Sequence, residues 1–297
     1  MSRIDYARLI ALASLWGASF IFIRSAAPEW GVVPTALVRV ELGGLLLLLY
    51  FRLIGFDVGW RRNWRRFAAI GVVNSAVPFS LFSFAGLYLP ASYSAIFNST
   101  TSLFGAILAA LWLAEPMTLR KLAGLLMGIG GVALVAGLGG AETDANFFLA
   151  TAACLVAATC YAIASVYVRK HARDIEPRAI AGASQVVAGV MLVPLLAVDP
   201  PGHFDTAVLL NLVGLAVLSS AIAYLLYYRL LADVGPSKAL TVTFLIPAFA
   251  MLWGWVFLDE GVTLSMLLGT AVIIAGTLLV TARARVGAAV EAGAPVG

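Results

Sequence analysis

Residues 90–135 read PASYSAIFNSTTSLFGAILAALWLAEPMTLRKLAGLLMGIGGVALV, and residues 235–280 read GPSKALTVTFLIPAFAMLWGWVFLDEGVTLSMLLGTAVIIAGTLLV. The two stretches align without a gap when the chain is shifted by 145 residues, from 90 to 235. Apolar matches carry little weight in so apolar a chain, so the polar and glycine matches decide. They are Ser92 with Ser237, Glu115 with Glu260, Thr118 with Thr263, Gly124 with Gly269 and Gly131 with Gly276. The chain therefore contains an internal repeat.

The repeat extends to the beginning of the chain. The same shift lays WGASFIFIR (16–24) on YAIASVYVR (161–169), which pairs Trp16 with Tyr161. The first apolar segment also has the pattern of a cleaved signal peptide, because arginines precede it and Ser25-Ala26-Ala27 follows it. A repeat partner in the second half argues against cleavage, since a removed leader would have no counterpart.

The composition requires a lipid solvent. Of 297 residues, 62% are hydrophobic and 11% are charged, with a mean hydropathy of +0.99. A soluble domain is closer to half apolar and a quarter charged. The net charge of +4 therefore does not indicate nucleic-acid binding. In a membrane protein, the distribution of the positive charges along the chain predicts the topology. Cys154 and Cys160 fit small buried hydrophobes, and we expect no metal, no cofactor and no catalytic residues.

Ten apolar segments are long enough to cross a bilayer as helices. They are 7–25, 32–53, 67–88, 90–113, 120–138, 146–168, 178–198, 207–231, 236–257 and 263–281. We predict an all-α polytopic membrane protein with a first five-helix repeat at 1–138 and a second at 146–281. Residues 284–297 are predicted to form a disordered cytoplasmic tail. Because five is odd, the second repeat is inverted, which is typical of secondary transporters. Channels can also be built from inverted repeats, so a pore stays open.

The positive charges predict the orientation. Every lysine and arginine except Arg24 and Arg39 falls at a terminus or in an even-numbered loop, whereas the odd-numbered loops are acidic. By the positive-inside rule, both termini are cytoplasmic. We therefore expect a multi-pass protein of the cell (inner) membrane.

A small polar face runs through the fourth segment. Asn98-Ser99-Thr100 fits a glycosylation acceptor, but it lies in mid-membrane where no glycan is attached. Ser94, Asn98 and Ser102 share one helix face, and the repeat gives Ala239, Thr243 and Pro247 in the ninth. Such faces allow close helix packing or line a cavity. Asn98 and the mid-helix Pro247 favour the cavity, since both leave polar groups to be satisfied.

Two charges lie inside the membrane. Intramembrane charges are functional candidates by default. Arg39 is near enough to the outer interface to snorkel, and Glu41 is deeper. The two cannot pair well, because residues two apart point to different helix faces.

Three stretches resemble the EamA-type members of the drug/metabolite transporter superfamily: WGASFIFIR, LAEPMTLRKLAGLLMGIGGVALV (113–135) and LDEGVTLSMLLGTAVIIAGTLLV (258–280). The likeness covers residues 7–281 and implies a ten-span carrier with a central cavity, usually exporting small metabolites. Within the superfamily the chain looks most like the YddG-type exporters of aromatic and other hydrophobic amino acids. The family pattern fits Arg39 early in the second span, and Glu115 and Glu260 as helix caps or gate contacts. Its two mid-span prolines are half present, because Ser102 stands opposite Pro247.

We expect an exporter of aromatic and other apolar amino acids that works by alternating access without ion coupling. The alternatives are a proton-coupled antiporter using Glu41 and a channel-like pore. The expected partners are a small-molecule substrate and the lipid bilayer, with no nucleic acid, and the expected assembly is a monomer or weak homodimer. The predicted substrate-binding residues are Trp16, Phe20, Phe79, Ser83, Asn98, Ser102, Tyr161, Tyr224, Tyr228, Thr243, Pro247 and Trp253.

Overall fold

The computed structural model describes residues 1–138 and 144–281, and over these ranges the chain is helical and contains no strand. Nine helical segments there are long and apolar enough to cross a membrane, and a shorter apolar helix, Val242–Leu258, lies in the remaining segment, the ninth along the chain. The predicted all-α polytopic fold is confirmed. The spans, numbered one to ten, are Arg3–Trp30, Val32–Leu53, Trp60–Tyr88, Ala91–Leu113, Leu119–Leu138, Ala145–His171, Pro177–Ala197, Thr206–Val234, 236–258 and Leu264–Thr281.

Several helices run past their apolar segments. Span one begins at Arg3, where Ser2 and Asp5 form a reciprocal capping box, and it continues through Pro28 to Trp30. Span three begins at Trp60, so the basic stretch WRRNWRR is its first two turns. Hydropathy marks only the part of a helix that lies in lipid, which explains the shorter predictions. The predicted tail at 284–297 lies outside the described residues.

The connections between spans lie alternately on two faces of the molecule. The N-terminal face holds Ser2 and the connectors at 54–59, 114–118, 172–176 and 235, and the distal face holds those at 31, 89–90, 198–205 and 259–263. On the N-terminal face Arg8 pairs with Asp233 at 2.6 Å. On the distal face Asp199 accepts a hydrogen bond of 2.7 Å from the backbone of Val33. These contacts join the first repeat to the second at both faces.

Spans five and ten cross along four glycines. A Cβ added to Gly124 would lie 2.5 Å from the carbonyl oxygen of Gly276, and one added to Gly276 would lie 2.5 Å from that of Gly124. Gly131 and Gly269 approach in the same way, at 2.8 and 2.9 Å. The shift of 145 residues exchanges these two pairs, so the seam reads the same in both repeats. Such a contact is expected of an inverted repeat, because equivalent surfaces of spans five and ten pack against each other.

Spans three and eight each contain a π-helical segment. It covers Val72–Ala76 in span three and Gly214–Ile222 in span eight, and the two overlap under the repeat shift. In span three Pro78 has no N–H to give the carbonyl of Asn74, which interrupts the α-helical ladder. The wider turn accommodates this loss, and such turns are frequent at functional sites.

Candidate functional site

Span four is broken in its middle, at the polar stretch Asn98–Ser102. One helix ends at Asn98 and the next begins at Thr101. The hydroxyls of Ser99, Thr100 and Thr101 donate to the carbonyls three residues before them, at 2.6, 2.6 and 2.7 Å. Serine and threonine thus offer the backbone local partners in place of the helical ladder. These residues make a helix break that can lie at membrane depth because its carbonyls are satisfied.

The break changes the predicted polar stripe. A common face from Ser94 to Ser102 assumes a continuous helix, and the turn at 99–100 interrupts it. Ser94 instead packs against span six, where its hydroxyl lies 3.7 Å from the sulfur of Cys154. Asn98 ends the first half with its Oδ1 buried and without a partner in the described part of the chain. Ser102 is half-buried in the first turn of the second half.

Span nine breaks at a different place from span four. It turns at Leu240–Thr241, whereas Pro247 lies inside the continuous helix Val242–Leu258. The Thr243 hydroxyl donates to the carbonyl of Leu240 at 2.8 Å. Pro247 is buried, and its neighbour Ile246 packs so closely on span one that a Cβ on Gly17 would lie 3.2 Å from the Ile246 oxygen. The span that lacks the mid-helix proline is therefore the one that breaks at its centre.

Aromatic side chains from four spans meet where the repeats join. Trp16 of span one packs edge-on against Tyr224 of span eight, with ring centroids 6.1 Å apart. Their repeat partners, Tyr161 of span six and Phe79 of span three, pack edge-on at 6.4 Å. Two further contacts are also exchanged by the shift, Trp16 with Tyr227 at 5.4 Å and Tyr161 with Phe82 at 6.1 Å.

Phe20 of span one links the two halves of this arrangement. It packs edge-on against Phe82 of span three with ring centroids 5.5 Å apart, and Trp16 and Tyr161 pack against the same hydrophobic core. We call these six rings, Trp16, Phe79, Phe82, Tyr161, Tyr224 and Tyr227, the aromatic cluster. Phe20 adds to it through Phe82 at 5.5 Å, and Tyr228 adds to it by stacking on Tyr224 at 5.9 Å.

Arg39 lies against this cluster. Its guanidinium carbon is 3.8 Å from the centroid of the Phe79 ring, which packs on Tyr161. Only 7% of the residue is exposed, so it does not snorkel to the interface. Its Nε has no acceptor, and no ion pair among the described residues includes it. The repeat places Ser184 at the equivalent position, so the charge has no counterpart across the axis.

Asn74 was not singled out in the sequence, yet it belongs to this site. It lies in the π-helical segment of span three and hydrogen-bonds the side chain of Tyr224. The signal was an amide in mid-span, four residues before Pro78. A proline at that distance releases the carbonyl of the earlier residue, and the wider turn then re-aims the side chains around it.

Other predicted residues lie outside the aromatic cluster. Trp253 stacks beside Phe249 and Phe257 on the face of span nine that meets span one, and its ring nitrogen donates to the carbonyl of Ser14 at 3.2 Å. Ser83 is buried in span three with no hydrogen-bond partner in the described chain. The structure thus brings Trp16, Phe20, Phe79, Tyr161, Tyr224 and Tyr228 together near Arg39. Trp253 packs against the same hydrophobic core as Trp16 and Tyr161. Among the described residues, no ring contact or side-chain hydrogen bond joins the aromatic cluster to Ser83, Asn98, Ser102, Thr243 or Pro247.

Glu41 faces span seven. A Cβ added to Gly189 would lie 1.9 Å from its Oε2, which is buried and has no partner among the described residues. The repeat equivalent of this contact is Val186 against Gly44, where an added Cβ would lie 2.9 Å from the valine. Glu41 therefore occupies a helix-crossing position that its counterpart fills with an apolar side chain, and it does not pair with Arg39.

Spans four and nine end alike, but the glutamates that follow have different partners. Ala114 and Asp259 both adopt left-handed backbone, with φ of 54° and 52°. Each lets the next glutamate N–H bond back to the helix, Glu115 to Ala109 and Glu260 to Gly254.

The Glu260 carboxylate closes on the first turn of span four at the distal face. It accepts from the backbone of Ala91 at 2.7 Å, from that of Ser92 at 3.3 Å and from the Ser92 hydroxyl at 3.1 Å. It lies directly over Gly254, since a Cβ there would be 2.5 Å from Oε2. A carboxylate at a helix N-terminus satisfies orphan N–H groups and suits the positive end of the helix dipole.

Glu115 forms ion pairs with two basic side chains at the N-terminal face. Its carboxylate is 2.7 Å from Arg169 and 3.4 Å from Lys121. The hydrogen bond from Arg169, with a smaller contribution from Lys121, holds the pKa of Glu115 below its ordinary value. Ala109 stands where Gly254 does, and Pro236, which has no N–H, stands where Ala91 does. For these two reasons the Glu115 carboxylate does not lie over the end of its own span and cap the neighbouring helix, as the Glu260 carboxylate does.

A cavity of about 460 Å³ lies among spans two, seven and eight at the N-terminal face. Its lining includes Tyr50, Arg178, Leu225 and Tyr228. Because Tyr228 stacks on Tyr224, this cavity ends one ring away from the aromatic cluster. A second cavity of about 640 Å³, lined by residues 56–63 and 174–179, touches none of the predicted substrate residues.

Comparison with known proteins gives one family. The model of the EamA-like transporter family matches residues 6–137 and 148–282. The chain is 26% identical to the "Uncharacterized transporter YvbV" of Bacillus subtilis, over 93% of this chain and 91% of that protein. It is 27% identical to "Protein PecM" of Dickeya dadantii, over 90% and 88%.

A third relative is the "Probable terminal-alkyne amino-acid exporter" of Streptantibioticus cattleyicolor, at 26% identity over 93% of this chain and 92% of that protein. Among solved structures, one crystal structure superposes with a TM-score of 0.63 at 18% identity, covering 94% of this chain and 97% of that one. The likeness extends over nearly the whole length in every case, so it concerns the fold of both repeats.

Proposed function

This chain belongs to the EamA-like transporter family, whose members and curated relatives are transporters and not enzymes, and on that premise we propose that it exports apolar amino acids and similar small metabolites. It is a multi-pass membrane protein. One relative at 26% identity is named as an amino-acid exporter, which supports this solute class. The assembly we propose is a monomer or weak homodimer.

The aromatic cluster carries this proposal. It lies where the inverted repeats meet, which is where secondary transporters of this architecture bind their solutes. Its paired contacts, Trp16 with Tyr224 and Tyr161 with Phe79, are equivalent under the repeat, so the site presents similar walls to both halves. Rings with a few hydroxyls and amides suit a solute that is apolar at one end and polar at the other.

The two ends of the molecule support alternating access. At the distal face Glu260 holds spans four and nine together, whereas at the N-terminal face Glu115 is occupied by Arg169 and a cavity reaches Tyr228. We interpret this difference between the two glutamates as support for a carrier that is open at its N-terminal face. Exchange of these arrangements between the repeats would open the other side.

We propose transport without ion coupling. A carboxylate that couples proton movement to transport should lie close enough to the substrate site to change its electrostatic potential. Glu41 instead packs on Gly189 of span seven. Proton antiport through Glu41 is the second candidate, because its Oε2 is buried without a partner in the described chain. Solute uptake driven by an imposed pH gradient, and abolished by Glu41→Gln, would favour the second candidate.

The orientation we propose has both termini in the cytoplasm of a cell with this protein in its inner membrane. The arginines of span three's first turns, Arg61, Arg62, Arg65 and Arg66, all lie at the N-terminal face. The cavity then opens to the cytoplasm, which is the side from which an exporter loads.

The test is solute flux in proteoliposomes. We expect radiolabelled phenylalanine, threonine and methionine to enter with saturable rates and to show counterflow from preloaded vesicles, whereas a pore would give linear flux. Tyr224→Ala should lower the initial rate by about tenfold, because it removes two ring contacts and the bond to Asn74. Tyr6→Ala, at an exposed tyrosine of span one that lines neither cavity, is the matched control. If none of the three amino acids moves, the proposed solute class is wrong.

A further inference from the structure

Arg39 is a buried charge that the protein itself leaves uncompensated. The residue is 7% exposed, its Nε has no acceptor, and no acidic side chain in the described ranges lies within ion-pair distance. Arginine stays protonated, so neutralisation does not relieve the cost of burying it. The contact with Phe79 at 3.8 Å returns part of that cost, but a ring quadrupole is a weaker partner than a carboxylate.

The group in contact with the Arg39 guanidinium is neutral. It is the ring of Phe79, which packs on Tyr161 within the aromatic cluster. Glu41, two residues away, faces Gly189 on span seven. The site therefore has a strong requirement for an anion, and among the described residues it contains no carboxylate that would hold an ammonium group.

We propose that Arg39 is the counter-ion of a solute carboxylate, and that the site selects carboxylates and not amines. This deepens the proposed function and rests on it. Apolar 2-oxo and 2-hydroxy acids then belong to the substrate class alongside the amino acids, because the amino group has no charged partner to lose. Amides and amines of the same shape are excluded, since they leave the buried guanidinium unpaired.

The experiment is inhibition of phenylalanine counterflow in proteoliposomes by four analogues at neutral pH. We expect phenylpyruvate and phenyllactate to compete about as well as unlabelled phenylalanine. Phenylalaninamide and phenethylamine should be at least about tenfold weaker, the loss that one buried charge-assisted hydrogen bond represents. Arg39→Gln should abolish this preference and Arg39→Lys should keep part of it, because lysine retains the charge but not the planar fork.

Arg65→Gln is the matched control. Arg65 also stands over an aromatic ring, 5.4 Å from the centroid of Trp64, but it is exposed on the N-terminal face and lines neither cavity. Its replacement should leave the preference for acids unchanged. Should the amide and the amine compete as well as the acids, the carboxylate assignment is refuted while transport of amino acids stands. Should no solute move at all, the failure is that of the proposed function.

Thermal unfolding gives a second readout that does not need transport. Phenylpyruvate should raise the Tm of the wild type and of Arg65→Gln, and should leave that of Arg39→Gln unchanged. Removal of an unpaired buried charge should not lower the Tm of the solute-free protein. Equal stabilisation of Arg39→Gln and wild type by phenylpyruvate would overturn the assignment, and if Arg39→Gln fails to fold, Arg39→Lys and the wild-type analogue series decide it.

Discussion

Replacement of Glu260 by glutamine should release the distal face. The wild-type carboxylate accepts three hydrogen bonds from the first turn of span four, from Ala91 and from both groups of Ser92. Hydrogen bonds to a charged group are each worth roughly 1.5–3 kcal/mol, and an anion at a helix N-terminus roughly 0.3–1 kcal/mol. Glutamine keeps one acceptor for Ala91 but turns an NH₂ group toward Ser92. The Ser92 hydroxyl can accept from that NH₂ group, so the loss is the bond from the Ser92 N–H and the interaction with the helix dipole. Together these are about 2 kcal/mol, which shifts the population toward a distally open state about thirtyfold.

The measurement is the distance between spin labels on Tyr88 and Phe257, which are exposed near the distal ends of spans three and nine. In a background with Cys154 and Cys160 replaced, Glu260→Gln should add a longer distance to the distribution.

Gly254→Ala should act in the same direction without removing the charge, because its Cβ would lie 2.5 Å from the carboxylate. Glu115→Gln, which changes only the N-terminal face, is the control and should not open the distal end. Identical distributions for Glu260→Gln and wild type would show that this carboxylate does not hold the face closed.

Three further outcomes are expected. Gly131→Ala should lower the free energy of unfolding by about 1–3 kcal/mol, because its Cβ would lie 2.8 Å from the Gly269 oxygen, whereas Gly130→Ala has open space; equal melting temperatures would exclude the glycine seam as a stabilising contact. Ala114→Gly should raise stability by about 1 kcal/mol, since glycine adopts a φ of 54° without strain; a lower Tm would mean that this backbone conformation is not maintained in the membrane. Reporter fusions at residues 63 and 172 should report cytoplasm and one at residue 200 the outside, and an exchange between these positions would refute the orientation.

The length and hydropathy of the apolar segments, together with the positions of four glycines, predict much of the fold. The spans were predictable because a bilayer demands about 20 apolar residues, and the repeat because Gly124 and Gly131 recur at Gly269 and Gly276. The structure gives those matches a cause, since the four glycines pack on each other. Helix ends were less predictable. The first turns of spans one and three are polar, so hydropathy does not detect them.

The candidate site was only partly readable. Tyr161 and Tyr224 stood out as intramembrane tyrosines, and their repeat equivalents Trp16 and Phe79 followed. The relation of Asn98 to Ser102 could not be read, because helical spacing assumes a helix that continues through both. Local hydroxyl bonds decide otherwise at the intervening residues. Asn74 was missed because a π-helical turn changes the direction of side chains that a period of 3.6 would place elsewhere.

Glu115 and Glu260 have different partners because of neighbouring residues that differ between the two repeats. Alignment of the repeats does not by itself show that these differences matter. Both acids match under the repeat, so sequence comparison treats them as equivalent. Their surroundings differ by one methyl group, Ala109 in place of Gly254, and by one missing N–H, at Pro236 in place of Ala91. Small differences of this kind become informative only when the packing shows which atom approaches which.

Arg39 has a consequence for how such a molecule can arise and be rebuilt. A carrier assembled from two identical five-span chains would place arginine on both sides of its axis or on neither, because each position is generated from the same residue. Two buried guanidinium groups would repel one another, and a pair of serines would offer an anion hydroxyl donors but no positive charge. A single covalent chain escapes this restriction, since gene duplication followed by fusion lets the halves diverge, with arginine at 39 and serine at 184. A protein reconstructed from two copies of the first half should therefore carry two buried arginines, and one reconstructed from two copies of the second half should carry none.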